Sequence, residues 1–156
     1  MTPSDRGSQN ARGVSDPSST TIAHPPIDVH WVGDLNFEAG RRDGPNVRID
    51  GDAHTAPGPF DLLLAAIATC ASVDVVTILE KQRTPVRALA VRVEATRVES
   101  VPRRLAAAIL HFRIAAPGST IEKATRAIEL SVTKYCSVRS SLIADAPVTW
   151  TVEIEA

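Results

Sequence analysis

The feature of this chain that most constrains its fold is a long apolar stretch near its middle. Between Leu62 and Leu79, apolar side chains fall on nearly every face of a helix, whereas a surface helix carries a single apolar stripe. We predict a helix that begins near Asp61, whose carboxylate suits the positive end of the helix dipole, and runs to about Arg83. Thr84-Pro85 ends it. In a chain of this size, such a helix is either a central core helix or one shared with a second subunit.

Strands are predicted on both sides of this helix. Before it, residues 29–37 and 47–49 read as two strands, because Arg42-Asp43-Gly44 between them carries the Asp-Gly signal of a hairpin turn. After it, alternation of period two predicts three more strands, over residues 86–99, 105–115 and 148–155.

Two further helices complete the predicted order of elements. Ser119 and Glu122 form a capping-box pattern that opens one helix, and this helix runs to about Thr133. A shorter helix is predicted from Cys136 to Ile143. The order is therefore β-β-α-β-β-α-α-β, which places the chain in the α+β class.

Composition limits the classes of function. A length of 156 residues with 44% hydrophobic residues suits one domain with a substantial core. The net charge of -1 argues against a nucleic-acid partner, since such domains are usually basic. Residues 1–26 are rich in Ser, Pro and Gly, so we expect a disordered tail before a domain over residues 27–156.

We expect a soluble, cytoplasmic protein without a membrane partner. The first residues lack the apolar segment of a secretory signal. The apolar run from Leu62 to Val73 is too short to cross a bilayer and is flanked by Asp61 and Asp74.

The chain has two cysteines, Cys70 and Cys136. In the cytoplasm a lasting structural disulfide is unusual, so the pair is either a redox dithiol or two inert core residues, and free cysteine often simply packs. The residues alone leave both interpretations open. The four histidines show no metal-ligand spacing, so we expect neither a metal nor another cofactor.

A working thiol needs a group that stabilises its thiolate. Burial in the helix would raise the pKa of Cys70, and Arg42 is the candidate cation if the hairpin turn folds over the helix. Cys136 is predicted at a helix start, where backbone N–H groups favour an anion. Asp61 and Arg42 also have ordinary interpretations, as a first-turn helix residue and a solvated charge.

Two segments of the chain resemble one known family. Residues 59–70, Pro-Phe-Asp-Leu-Leu-Leu-Ala-Ala-Ile-Ala-Thr-Cys, resemble the first-cysteine helix of the OsmC/Ohr family, and residues 134–138, Lys-Tyr-Cys-Ser-Val, resemble the second-cysteine motif of its OsmC-like branch. The resemblance covers roughly Val29 to Glu155. It implies an intertwined homodimer in which strands wrap around two long central helices.

The resemblance also implies an activity, because characterised members are thiol peroxidases that act on organic hydroperoxides. By this likeness Cys70 is the peroxidatic cysteine, which becomes a sulfenic acid, and Cys136 is the resolving cysteine, which closes a disulfide. An external dithiol, such as a lipoylated or thioredoxin-like protein, would reduce that disulfide. Residues 40–44 resemble the arginine turn of the Ohr branch, which makes Arg42 the activating arginine, with Arg41 as the alternative.

One departure from the family pattern bears on the activity. The peroxidase branches have a glutamate where this chain has Phe60, and that glutamate holds the arginine toward the sulfur. Asp61 is the candidate replacement. A non-catalytic domain that binds a small apolar ligand and a redox sensor are therefore the alternative functions.

Overall fold

The computed structural model describes residues 20–155. The predicted disordered tail, residues 1–26, falls largely outside this range, and residues 20–27 form neither helix nor strand. The elements are β1 (Asp28–Gly33), β2 (Asn36–Gly40), β3 (Val47–Asp50), α1 (Pro59–Lys81), β4 (Ala88–Arg97), β5 (Leu105–Ala115), α2 (Ile121–Leu130), a π-helical turn (Ser131–Tyr135), α3 (Ser137–Ser140) and β6 (Val148–Glu155).

The strands form two sheets of three strands each, with the orders β1-β2-β3 and β4-β5-β6. Neighbouring strands are antiparallel except for β5 and β6, which run parallel with Leu110 opposite Trp150. Along β5 the apolar side chains of Leu110, Phe112 and Ile114 are buried, while His111 and Arg113 alternate with them on the other face. The predicted α+β class is confirmed.

The predicted order lacked one strand, because residues 29–37 form two strands rather than one. The chain reverses between Gly33 and Asn36, which face each other across the β1-β2 pair. Gly33 has a φ of 116° and Asp34 a φ of 48°. Glycine adopts positive φ without steric cost and aspartate tolerates it, so these two residues turn the chain where the alternation alone suggested a continuous strand.

The second helix also begins differently from the prediction. Thr120, not Ser119, is the N-cap, and its Oγ1 accepts the backbone N–H of Lys123 at 3.3 Å. Ser119 is still part of the preceding turn, since its N–H bonds to the carbonyl of Ala116 at 2.9 Å.

Within the single chain, helix α1 is buried along just one stripe of its surface. The stripe packs against β4, α2 and the π-helical turn, and its buried residues are Ile67, Ala68, Ala71, Val75 and Leu79. On the opposite side Val73 is 61% exposed. Within one chain the helix is therefore not buried on most sides, and the second predicted alternative, a helix shared with a second subunit, stays a prediction.

The prediction that the apolar segment is too short to cross a bilayer does not hold for the whole of α1. The helix spans 23 residues, and an 18-residue window in it has a mean hydropathy of 2.3, which meets the length and composition of a membrane span. Core helices of water-soluble proteins meet the same criterion. The buried stripe against β4, α2 and the π-helical turn is the packing of a core helix.

Candidate active site

The fold brings the two cysteines together. Cys70, on α1, and Cys136, which precedes α3, are near enough for each thiol to shift the pKa of the other, and both are free thiols. The Sγ of Cys70 is 3.9 Å from the hydroxyl of Ser137. The Sγ of Cys136 lies 4.0 Å from the carbonyl oxygen of Ile67, one helical turn before Cys70.

The position of Cys136 follows from the backbone on both sides of it. In the π-helical turn, the N–H of Cys136 bonds to the carbonyl of Ser131 at 2.8 Å, a wider turn than that of an α-helix. Cys136 then caps α3, with its Sγ accepting the N–H of Arg139 at 3.3 Å. The prediction that Cys136 lies at a helix start is confirmed.

The environment of Cys70 favours its thiolate. Partial burial acts to raise the pKa of the thiol, but hydrogen bonds from the backbone of Val138, the thiol of Cys136 and the hydroxyl and backbone of Ser137 outweigh burial and lower the pKa below its ordinary value. A lowered pKa increases the population of the nucleophilic form. Within one chain, these hydrogen-bond donors stabilise the Cys70 thiolate, which is the role that we expected for Arg42.

Cys136 has the opposite character. Desolvation raises its pKa to about 11, and the neighbouring Cys70 and Asp74 add to the increase, while the hydrogen bond from Arg139 opposes it. The helix start therefore does not make Cys136 an anion, because only 1% of the residue is exposed and the loss of water outweighs one backbone donor. The site therefore pairs a thiol whose pKa is lowered with one whose pKa is raised.

The other predicted site residues lie apart from the thiols in the single chain. Arg42 is on the turn between β2 and β3, with its side chain 83% exposed and its Nε 3.9 Å from Asp28. Arg41 contributes its carbonyl to the same turn, accepting the N–H of Gly44 at 3.0 Å. Neither arginine is among the groups that shift the pKa of Cys70.

Asp61 stabilises the first turn of α1. Its Oδ2 accepts the backbone N–H of Gly58 at 2.9 Å, which satisfies one of the unpaired donors of the helix end. The carboxylate also lines a cavity of about 450 Å³ between α1 and β4. The structure thus assigns Asp61 the ordinary role and places it by the cavity.

The structure adds an arginine that the sequence did not indicate. The guanidinium carbon of Arg97 lies 4.2 Å from the ring centroid of Phe60, a cation–π contact, and its Nε donates to the carbonyl of Arg103 at 2.7 Å. Phe60 therefore contacts an arginine through its ring, but this arginine is Arg97 rather than Arg42. No pattern in the sequence could have found Arg97, since the Phe60 ring that it contacts lies 37 residues earlier in the chain.

Fold and site together define an α+β protein with two neighbouring free thiols between its long helix and the turn that follows α2. Residues 50–152 match the family model described as OsmC-like protein. Protein YhfA of Escherichia coli is 33% identical over 129 residues, covering 82% of this chain and 96% of its own length.

Solved structures give the same fold. An OsmC-like protein from Mycoplasma pneumoniae has a TM-score of 0.74 at 16% identity, covering 87% of this chain and 100% of its own. The organic hydroperoxide resistance protein OhrB of Bacillus subtilis has a TM-score of 0.58 at 14% identity, covering 85% and 100%. The chain belongs to the OsmC-like family.

Proposed function

We propose that the protein is a cysteine-based thiol peroxidase that reduces organic hydroperoxides to alcohols. The observation that carries this proposal is that two free thiols lie near each other and have pKa values shifted in opposite directions. Such a difference separates a nucleophile from the thiol that resolves it. We choose an organic hydroperoxide as the substrate because the structural neighbour OhrB is an organic hydroperoxide resistance protein.

The chemistry balances with these two thiols and one external reductant. The Cys70 thiolate attacks the terminal peroxide oxygen, the O–O bond breaks, and the alkoxide takes a proton and leaves as alcohol. Cys70 becomes a sulfenic acid. The sulfur of Cys136 then displaces the hydroxyl, which leaves as water, and a disulfide forms. We propose that a lipoylated or thioredoxin-like protein of the cytoplasm reduces it.

The direct test measures thiols and turnover. The reduced protein is mixed with cumene hydroperoxide, and free thiols and cumyl alcohol are counted. Both thiols should disappear with one alcohol formed, and a dithiol reductant should restore turnover. The double variant C70S/C136S is the control. Survival of both thiols, while a known thiol peroxidase is oxidised under the same conditions, would falsify the proposal.

We also propose that the protein is a homodimer. The support is apolar surface that one chain leaves uncovered on α1 and on the sheet β1-β2-β3, where Val73 is 61% exposed, Val29 61% and Trp31 67%. Burial of apolar surface is the usual driving force for association, and large contiguous apolar patches mark interaction sites.

A dimer would also provide a place for Arg42. Because its guanidinium does not reach Cys70 in one chain, we propose that Arg42 acts on Cys70 of the partner subunit. Subunits carrying C70S, which should be inactive alone, and R42A, which should be slower than wild type alone, are unfolded, mixed in equal amounts and refolded. About half of the dimers would then be mixed, each with one complete site, so about a quarter of the wild-type activity should return. No recovery, with mixed dimers shown by mass spectrometry, would place Arg42 elsewhere.

A second candidate is a non-catalytic domain that binds a small apolar ligand. It is favoured by the cavity of about 450 Å³, whose apolar lining includes Leu64, Leu89 and Val91. Native mass spectrometry separates the two functions: a retained ligand together with thiols inert to hydroperoxide would support binding alone.

A further inference from the structure

A second cavity lies beside the turn between β4 and β5, and neither cysteine lines it. Its volume is about 350 Å³, which is within the range of pockets that hold small molecules. Three segments supply its apolar lining, namely the start of α1, the β4-β5 hairpin and the loop after α3. The side chains are those of Phe60, Leu63, Leu105, Leu142 and Ile143. We call it the hairpin cavity.

The hairpin cavity has an excess of positive charge. Within residues 20–155 it is lined by Arg97, Arg103 and Arg104 and by no carboxylate. Arg104 is paired with the exposed Asp145, with 3.4 Å between Nη1 and Oδ1. None of the ion pairs among these residues includes Arg97 or Arg103. Because a guanidinium stays charged at physiological pH, the cavity is suited to an anion.

Arg97 is held in position beside the apolar lining. Its guanidinium carbon lies 4.2 Å from the ring centroid of Phe60, and its Nε donates to the backbone carbonyl of Arg103 at 2.7 Å. The guanidinium carries further N–H groups on its terminal nitrogens. These groups have the geometry that binds a carboxylate through parallel hydrogen bonds. An anionic group and an apolar surface are therefore both accommodated at the ring of Phe60.

We propose that the hairpin cavity binds an amphipathic carboxylate, in which a single alkyl chain ends in the charged group. The chain lies against the apolar lining, and the carboxylate accepts hydrogen bonds from Arg97, with Arg103 adding to the positive charge. The cavity of about 450 Å³ between α1 and β4 does not suit this ligand, because among the described residues it is lined by Asp61 and by no arginine. This binding site does not depend on the proposed peroxidase activity.

Isothermal titration calorimetry of the full chain with decanoate at neutral pH tests the proposal. Decanol and acetate each keep one half of the ligand, and decanoate should bind at least about tenfold more tightly than either. Octanoate should bind more weakly than decanoate, by up to about fourfold for each methylene lost. The absence of saturable decanoate binding, or equal affinities for decanol and decanoate, would overturn the proposal.

Three variants locate the site. R97Q should weaken decanoate binding by about tenfold or more, because a hydrogen bond to a charged group is lost. R103Q removes an exposed side chain but keeps the carbonyl that Arg97 contacts, and it should weaken binding by a smaller factor. R92Q is the matched control, since Arg92 is an exposed arginine of β4 that does not line the hairpin cavity, and its affinity should equal that of wild type.

An unchanged decanoate affinity in R97Q would overturn the role of the hairpin cavity, as would an equal loss in R92Q. If R97Q does not fold, R103Q compared with R92Q decides in the same way. Because no hydroperoxide is used, the result is independent of whether the protein proves to be a peroxidase.

Discussion

The sharpest prediction concerns the relative reactivity of the two thiols when each is alone. The variant C136S keeps Cys70, and C70S keeps Cys136. Serine is the suitable replacement because its hydroxyl can still donate a hydrogen bond at either position. We expect Cys70 in C136S to react much faster with hydroperoxide at pH 7 than Cys136 in C70S.

The size of the difference follows from the ionisation of Cys136. Its pKa rises from an ordinary value of 9.0 to about 11, which reduces its thiolate at pH 7 by about a hundredfold. A thiolate of higher pKa is intrinsically more nucleophilic, by about six- to tenfold for such a shift. Cys136 should therefore react about ten to fifteen times more slowly than an ordinary thiol. Loss of Cys70 in C70S removes one raising effect, but desolvation, the largest one, remains.

Cys70 should differ from an ordinary thiol in the opposite direction. Because its pKa is lowered, the reaction rate of C136S should rise with pH and level off at a lower pH than that of C70S. The two variants should thus differ by at least tenfold at pH 7 and by less as the pH increases.

The assay follows thiol loss under excess cumene hydroperoxide between pH 6 and pH 10. The matched control is the same measurement in concentrated urea, where both thiols lose their surroundings and should react at similar rates. Equal rates for the folded variants, or a faster reaction of C70S, would refute the argument from ionisation. A difference that persists in urea would show that the fold is not its cause.

Three other outcomes are expected. In C136S, one round of reaction with hydroperoxide should be followed by overoxidation of Cys70 to sulfinic and sulfonic acids, seen as added oxygen atoms by intact mass spectrometry, because no thiol is left to resolve the sulfenic acid. In L79A, urea unfolding should show a loss of about 2–5 kcal/mol, since Leu79 is fully buried. In D50N, the loop before α1 should lose stability at neutral pH, because the hydrogen bonds from Thr55 and Asp52 lower the pKa of Asp50 to about 2 from an ordinary 3.8. The stability that these hydrogen bonds contribute is present above about pH 4 and is lost as the pH falls toward 2. The difference in Tm between wild type and D50N should therefore become smaller on acidification.

Much of the fold could be predicted because local patterns determine it. The alternation of Leu110, Phe112 and Ile114 with polar residues matches a strand with one buried face. The apolar stretch of α1 and the Thr-Pro that follows it set the helix closely. The turn at Gly33-Asp34 was also present in the sequence, as a glycine followed by an aspartate, but the alternation on both sides of it hid the reversal.

The proximity of the two thiols depends on a feature without a sequence signature. If α2 continued as an α-helix, the N–H of Cys136 would bond to the carbonyl of Val132, four residues back. Instead it bonds to Ser131, five residues back, which shifts every later residue by one position around the helix. Nothing in the sequence of Ser131–Tyr135 marks this wider turn. The sequence therefore indicates two candidate redox cysteines, but it does not indicate that the fold places them near each other.

The position of Arg42 relative to Cys70 could not be predicted either, and the reason is a different one. Side-chain periodicity tells which face of an element is apolar, but it does not tell which chain covers that face. The exposed Trp31 and Val73 and the exposed Arg42 have the same explanation if a second copy packs against α1 and the sheet β1-β2-β3. The donors from Ser137 and Val138 already lower the pKa of Cys70 without that copy. Arg42 would then add to an activation that one chain has begun, and its loss should reduce the rate of Cys70 without reversing the order of the two thiols.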